Sequence, residues 1–237
     1  MTIFLRRNNK INSSSNLWLK TIFLLVIITG IGTLWLKNNQ FELKKASQQV
    51  IANIYYSPPL TMEGGNPYLR ALMRTISASE ASYLNPYHVI YGGKYVEDLS
   101  RHPNVCVAIA RGPNVGNCST ASGRYQFLNT TWAEKAKKYH PNPDKFLVWK
   151  EYSFEAEYQD IVLYNWLSDS QAWGINLETL LQEGKIDDVL KLLSPTWTSL
   201  GYGIENNVIT KHLPSIYQKM LKDELEQNSN QNISDSN

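Results

Sequence analysis

The longest apolar run in the chain is LWLKTIFLLVIITGIGTLWL at residues 17–36, interrupted by a single charge, Lys20. As a helix it would span roughly 30 Å, the hydrocarbon thickness of a bilayer. Lys20 is close enough to the start to snorkel, and Trp18 and Trp35 stand one residue inside the two ends, where aromatic belts lie. The residues that follow are Lys37, Asn38, Asn39 and Gln40, with no small-x-small cleavage pattern nearby. The pattern predicts an uncleaved transmembrane signal anchor over 17–36. Arg6, Arg7, Lys10 and Lys20 precede or open it, which puts residues 1–16 in the cytoplasm and the rest on the periplasmic, extracytoplasmic side.

Beyond that run the pattern changes. Residues 37–65 are polar, then irregular at Ser57, Pro58 and Pro59, with Gly64 and Gly65 at the end, which reads as a stalk. Asn66 and Pro67 form a helix start, and Leu69, Leu72, Met73, Ile76 and Glu80 follow on one helical face. Residues 89–96 (VIYGGKYV) read as a β-hairpin on a Gly-Gly turn. Further helices are predicted over 129–139, with Thr131 and Glu134 as a capping box, and from Ser153 as cap to Leu167. Others are expected at 176–183, at 187–193 and over 206–225, the last with Pro214 inside it as a kink. Residues 226–237 (EQNSNQNISDSN) read as a disordered tail. One helix, a small β element and then several helices make an α+β domain over 66–225, mainly helical with a small β-hairpin element and preceded by one transmembrane helix.

Charge sharpens this division. The 237 residues carry 23 Lys+Arg and 21 Asp+Glu, but residues 1–40 hold five of the basic residues and no acid. The remainder is therefore net negative, with no general field for nucleic acid. The two cysteines, Cys106 and Cys118, lie in one short segment. On the exported side such a pair is expected to form a disulfide; the alternative is two buried thiols. A zinc site with His88 or His102 lacks standard ligand spacing.

Glu80 is the residue that looks chemical. It shares the apolar face of the first predicted helix and stands near its C-terminal end. Desolvation and the negative end of the helix dipole both favour the neutral acid, the form a general acid for glycosidic cleavage requires. The competing reading is a solvated Glu on a frayed last turn.

The strings TISASE at 75–80, YHVIYGG at 87–93, DLSRHP at 98–103, STASGRYQ at 119–126 and WTSLGYG at 197–203 carry a resemblance. In order and approximate spacing they resemble the lambda endolysin-like lytic transglycosylases (glycoside hydrolase family 104, lysozyme-like superfamily), over about residues 67–210. The resemblance implies a lysozyme-like fold and cleavage of the β-1,4 bond between N-acetylmuramic acid and N-acetylglucosamine in peptidoglycan, leaving a 1,6-anhydromuramoyl end. Glu80 occupies the position of the family's catalytic Glu. No metal or organic cofactor is implied, and the expected partner is the peptidoglycan glycan strand; no protein partner is readable.

Other residues receive roles from the same resemblance. Gln126 suits an N-acetyl group or sugar hydroxyl, and Ser119, Arg124 and Tyr125 are expected along the same wall, against a rival reading of Arg124 and Tyr125 as packing of a turn. Gly123 is expected to allow a tight turn or the close approach of a sugar. Tyr202 is expected near a sugar or Glu80, against a rival reading as core. Asp98 is the candidate second carboxylate: in the cleft it would open a hydrolytic, muramidase mechanism, whereas an Asx turn is the competing role. An inactive peptidoglycan-binding or scaffold module is the third reading. Residues 111–118 and the short Gly201–Gly203 stretch depart from the family's pattern.

Overall fold

The computed structural model describes residues 33, 35–43, 57–110, 114–141, 152–203 and 208–234. The chain divides into two units, Met1–Gln48 and Gln49–Asn237. In the first, residues 35–43 are helical. The single-pass membrane localisation expected from residues 17–36 is corrected here: no helix among the described residues is long and apolar enough to cross a membrane. Most of the apolar run lies outside the described residues. Its described end continues into a helical stretch bearing Lys37, Asn38, Asn39, Gln40 and Glu42, which hydrocarbon would leave unsolvated. The extracytoplasmic placement rested on that span and falls with it.

The second unit is built around helix α1 (Pro67–Glu80). It starts where the Asn66 side chain accepts hydrogen bonds from the Tyr68 and Leu69 amides and Pro67 fixes the first turn. Residues 69 and 71–78 of α1 are buried, so the helix is enclosed nearly all round. Against it pack α3 (Ala156–Ser168), α5 (Leu177–Gln182), the 3-10 turn Thr198–Leu200 and, most extensively, α7 (Leu213–Ser234). Leu72, Met73 and Ile76 meet Val162, Leu163, Ile216 and Met220 in one continuous core. Each such side chain contributes about 1.5–3 kcal/mol of burial. Helices α2 (Asn129–Tyr139), α4 (Ser170–Trp173) and α6 (Ile186–Leu193) complete the helical set.

The β component is small. Strands β1 (Val89–Ile90) and β2 (Lys94–Tyr95) pair antiparallel around Gly92 and Gly93, whose φ values of +81° and +80° suit a tight hairpin turn. A second ribbon pairs β3 (Val107–Ala108) with β4 (Cys118–Ser119), where the sequence pattern suggested only a loop. Cys106 and Cys118 are joined by a disulfide across this ribbon. Closing so short a loop contributes about 3 kcal/mol in the chain-entropy view. The chain then returns to the first hairpin: the Tyr91 amide donates to Ala121 O at 2.8 Å and the Gly123 amide to Val89 O at 2.7 Å.

Several boundaries differ from the sequence pattern. Residues 57–62, expected in a stalk, are bound into the domain, with Leu60 and Met62 in the core. Ser57 O accepts from Arg74 Nη2 at 2.9 Å, and Pro59 O accepts from Arg124 Nη1 at 2.9 Å. Leu128, without a side-chain cap, precedes α2, and Glu134 pairs with Lys135 instead of closing a capping box. Helix α3 begins at Ala156, so Ser153 lies outside it, its hydroxyl accepting from the Glu155 amide. Pro214 falls in the first turn of α7, where its missing amide costs nothing, and so introduces no kink. The same helix runs on to Ser234 through most of the expected disordered tail.

A buried polar hub joins these parts. Asp160 on α3 has no solvent exposure. Its Oδ1 accepts from Tyr125 Oη at 2.5 Å, and its Oδ2 from Tyr87 Oη at 2.7 Å and from the Thr61 and Met62 amides at 2.7 and 3.2 Å. Arg124, equally buried, donates to Tyr87 Oη at 2.6 Å, to Ser57 Oγ at 2.8 Å and to Pro58 O. Burial, reinforced by Asp160, pushes the Tyr87 hydroxyl up to about 12, so it remains a donor at any physiological pH. Removing the acceptor should therefore be costly. Asp160→Ala is expected to lose at least about 3–5 kcal/mol of stability in urea unfolding, because Arg124 and several buried donors would be stranded. A loss under about 1 kcal/mol, the range of an exposed pair, would contradict the hub's role.

Candidate functional site

Glu80 is the last residue of α1 and is half-buried. The helix stops there because Ala81 leaves helical geometry, with φ −141° and ψ 68°. The turn Thr198–Leu200 lies against this end of α1. Ser199 Oγ donates to Glu80 Oε1 at 2.5 Å, and Ser79 Oγ donates to Ser199 Oγ at 2.8 Å. Two hydroxyls in series thus point at one oxygen of the carboxyl group. Trp197 Nε1 donates to Tyr125 O at 3.0 Å and anchors the segment that carries Ser199. Neither serine was among the site residues expected from sequence. Ser199 lies inside the WTSLGYG string, but nothing local says that its hydroxyl reaches a helix end over a hundred residues away.

The STASGRYQ segment separates into an outer and an inner set. Ser119 is half-buried on β4, its hydroxyl accepting from the Ala121 amide at 3.2 Å. Gln126 is half-buried with φ +49°, and its Nε2 donates to Val89 O at 3.2 Å and Gly123 O at 2.9 Å. With both amide hydrogens committed to backbone, the group is oriented and its Oε1 accepts no hydrogen bond among the described residues. Arg124 and Tyr125 stand elsewhere than on the expected wall. Both are fully buried in the Asp160 hub. Gly123 adopts φ +74°, and a Cβ there would strike the Gln159 carboxamide and come within 2.8 Å of Phe154. Its smallness serves this turn and the approach of α3. Gln159 holds the turn from beneath, accepting from the Arg124 amide at 2.9 Å and donating to Tyr87 O and Phe154 O.

Asp98 is exposed, and its Oδ1 accepts from the Ser100 amide at 2.9 Å, an Asx turn. Hydrogen bonds from Ser100, with Arg101 nearby, hold its carboxyl below the usual range. Tyr202 has φ +53° and donates to Asp187 Oδ1 at 2.9 Å, at the start of α6. Burial, then the Asp187 bond and charge, push its hydroxyl well up. The structure thus brings Glu80 and the Ser199 turn together, places Gln126 against the first hairpin, and ties Asp98 and Tyr202 to partners of their own. Among the described residues no cluster of His, Cys, Asp and Glu could hold a metal ion.

His102 fixes the end of the same segment. Its ring Nε2 lies 2.8 Å from Phe127 O and its Nδ1 accepts from the Asn104 amide at 3.1 Å. Nε2 therefore carries the proton and Nδ1 the lone pair, which makes the ring neutral. Burial lowers its pKa from the ordinary 6.5, partly offset by the Phe127 bond.

The model of the family described as Endolysin matches residues 70–222. Two solved structures are similar, both of the lysozyme of bacteriophage lambda. One, complexed with a chitohexasaccharide, is 24% identical, covers 67% of this chain and 97% of its own, and has a TM-score of 0.48. The other is 23% identical over 69% and 97% of the two chains, with a TM-score of 0.47. No curated protein matches.

His102 generates a pH test. A depressed folded pKa gives stability that is present above the ordinary 6.5 and lost as pH falls through the folded value. Thermal stability should therefore fall as pH is lowered from 6.5 toward the folded value, a slope that His102→Gln flattens. Identical slopes in the two proteins would contradict the neutral, buried ring.

Proposed function

Because the chain belongs to the Endolysin family, and is thereby a lysozyme-like glycosidase that degrades peptidoglycan, we propose that it is a lytic transglycosylase in which Glu80 alone supplies acid and base. The substrate is the glycan strand, cleaved at the β-1,4 bond from N-acetylmuramic acid to N-acetylglucosamine. Glu80 first gives its proton to the glycosidic oxygen as the bond from that oxygen to the muramoyl anomeric carbon breaks. The muramoyl 6-hydroxyl oxygen then bonds to the anomeric carbon, and its proton passes to the Glu80 carboxylate. Glu80 ends as it began, no water is consumed, and the product is a 1,6-anhydro end. An internal nucleophile makes a second carboxylate unnecessary, unlike the paired arrangement of most glycosidases.

The observation that carries this reading is the Ser79–Ser199–Glu80 chain at the end of a buried helix. It supports the assignment because a carboxyl group that must release and recover a proton at one place needs a fixed orientation. The Ser199 hydroxyl, donating to Oε1, supplies that orientation. Asp98 supports the same reading by its exposure and its commitment to the Ser100 turn. Gln126, oriented by two backbone acceptors, is the proposed contact for an N-acetyl amide or sugar hydroxyl, and Ser119 and Tyr202 are proposed at the margins of the glycan.

Glu80→Gln keeps the shape and removes the titratable group. Clearing of purified peptidoglycan is expected to fall about 10²- to 10⁴-fold with unchanged thermal stability. Retained turnover would refute the assignment. Ser199→Ala removes the orienting hydroxyl, and kcat is expected to drop about 10- to 100-fold with little change in KM. An unchanged kcat would show that Ser199 does not position the acid.

A further inference from the structure

We propose that Tyr83 and Tyr95 form an aromatic platform that binds the apolar face of a sugar in the substrate strand, next to the bond that Glu80 cleaves. The inference rests on the reading of Glu80 as the catalytic acid and names a substrate contact of that same site.

Tyr83 lies three residues beyond Glu80. Its amide donates to Ala81 O at 2.8 Å, so the chain folds back at once at the end of α1. The ring then reaches the tip of the first hairpin: a Cβ added at Gly93 would lie 2.6 Å from Tyr83 Oη. Tyr95 on β2 meets the same ring edge-on, with centroids 6.1 Å apart and planes at 82°. The pair thus spans from the catalytic helix end to the hairpin, whose other side is held by the segment bearing Gln126.

Both rings are paid out to solvent, Tyr83 by 42% and Tyr95 by 53%, and Leu84 beside them is 98% exposed. Among the described residues neither phenol hydroxyl makes a hydrogen bond. Two aromatic rings and a leucine left in water at the edge of a site are a binding surface more readily than a packing one. A β-1,4-linked pyranose fits it chemically. Its equatorial substituents leave C–H groups on the two faces of the ring and hydroxyls around the rim. An aromatic face meets the first and a phenol hydroxyl the second, the combination of an apolar body and polar tip that tyrosine offers. The perpendicular planes set one ring edge-on against the other, and both residues remain exposed.

The test uses the full chain carrying Glu80→Gln, so that ligand is not consumed, titrated calorimetrically with chitohexaose. Adding Tyr83→Ala or Tyr95→Ala is expected to weaken binding about tenfold, and Tyr83→Phe and Tyr95→Phe to retain most of it. In the active chain the alanine variants should raise KM on peptidoglycan far more than they lower kcat. Tyr95, the more exposed, guards against a folding artefact at Tyr83. Chitohexaose binding unchanged in both alanine variants, with unaltered thermal unfolding, would overturn the platform while leaving the Glu80 reading intact. A wild-type chain that neither clears peptidoglycan nor binds chitohexaose would overturn both.

Discussion

Asp160 and Arg124 are buried where water cannot serve them, and the protein supplies every partner they use. Asp160 gathers Tyr87 from the entry to the hairpin, Tyr125 from the second motif segment, and Thr61 and Met62 from the strap that precedes α1. Arg124 collects Tyr87 again, together with Ser57, Pro58 and Pro59. A buried carboxylate or guanidinium that lost these contacts would be strongly destabilising, so the segments are held in one arrangement. The hub thereby fixes the hairpin against α3, and Gln126, next to Tyr125, is carried into place with it. A second polar tie acts from the other side: Glu224 on α7 accepts from Arg70 at 2.5 Å and Arg74 at 2.9 Å on α1. Helix α1 is thus locked along its length while its last residue, Glu80, stays half-buried.

This division explains why neighbours in one motif do different work. Gly123, Arg124 and Tyr125 turn inward, with Gln159 filling the space that a side chain at Gly123 would need. Gln126 turns outward, at a positive φ that non-glycine residues adopt at some cost. The strain is held by the Ser122–Phe127 backbone pair on either side of the turn. Rigid support beneath and an oriented amide above is an arrangement suited to a substrate contact. At Glu80 the same logic uses hydroxyls, with Ser199 delivered by a turn that Trp197 pins to Tyr125 O.

Much of the helical framework was legible from local chemistry. Asn66 and Pro67 start α1, the Gly92–Gly93 pair turns the hairpin, and α2 has the bounds that its spacing suggested. What escaped was set by partners far away in the chain. Residues 57–62 look like a linker because their polar atoms bond to Arg74, Arg124 and Asp160, and nothing local announces this. The ribbon of β3 and β4 has strands of two residues each, too short for an alternating pattern. For Arg124 and Tyr125 the sequence left a cleft wall and the packing of a turn both open, because a motif shows which residues matter and not which way they face. The run at 17–36 had the length, hydropathy and flanking basic residues of a span, yet no helix among the described residues is long and apolar enough to cross a membrane. For Glu80 the helical face and end position could be read, whereas the serine relay depends on tertiary contact.

The central claim is that one carboxyl group at Glu80 cleaves the glycan by drawing on the muramoyl 6-hydroxyl. Mass spectrometry of the muropeptides released from purified peptidoglycan tests it most directly. The account predicts 1,6-anhydromuramoyl ends. Reducing ends, heavier by one water, would contradict it and make the enzyme a hydrolase that needs a second group to activate water.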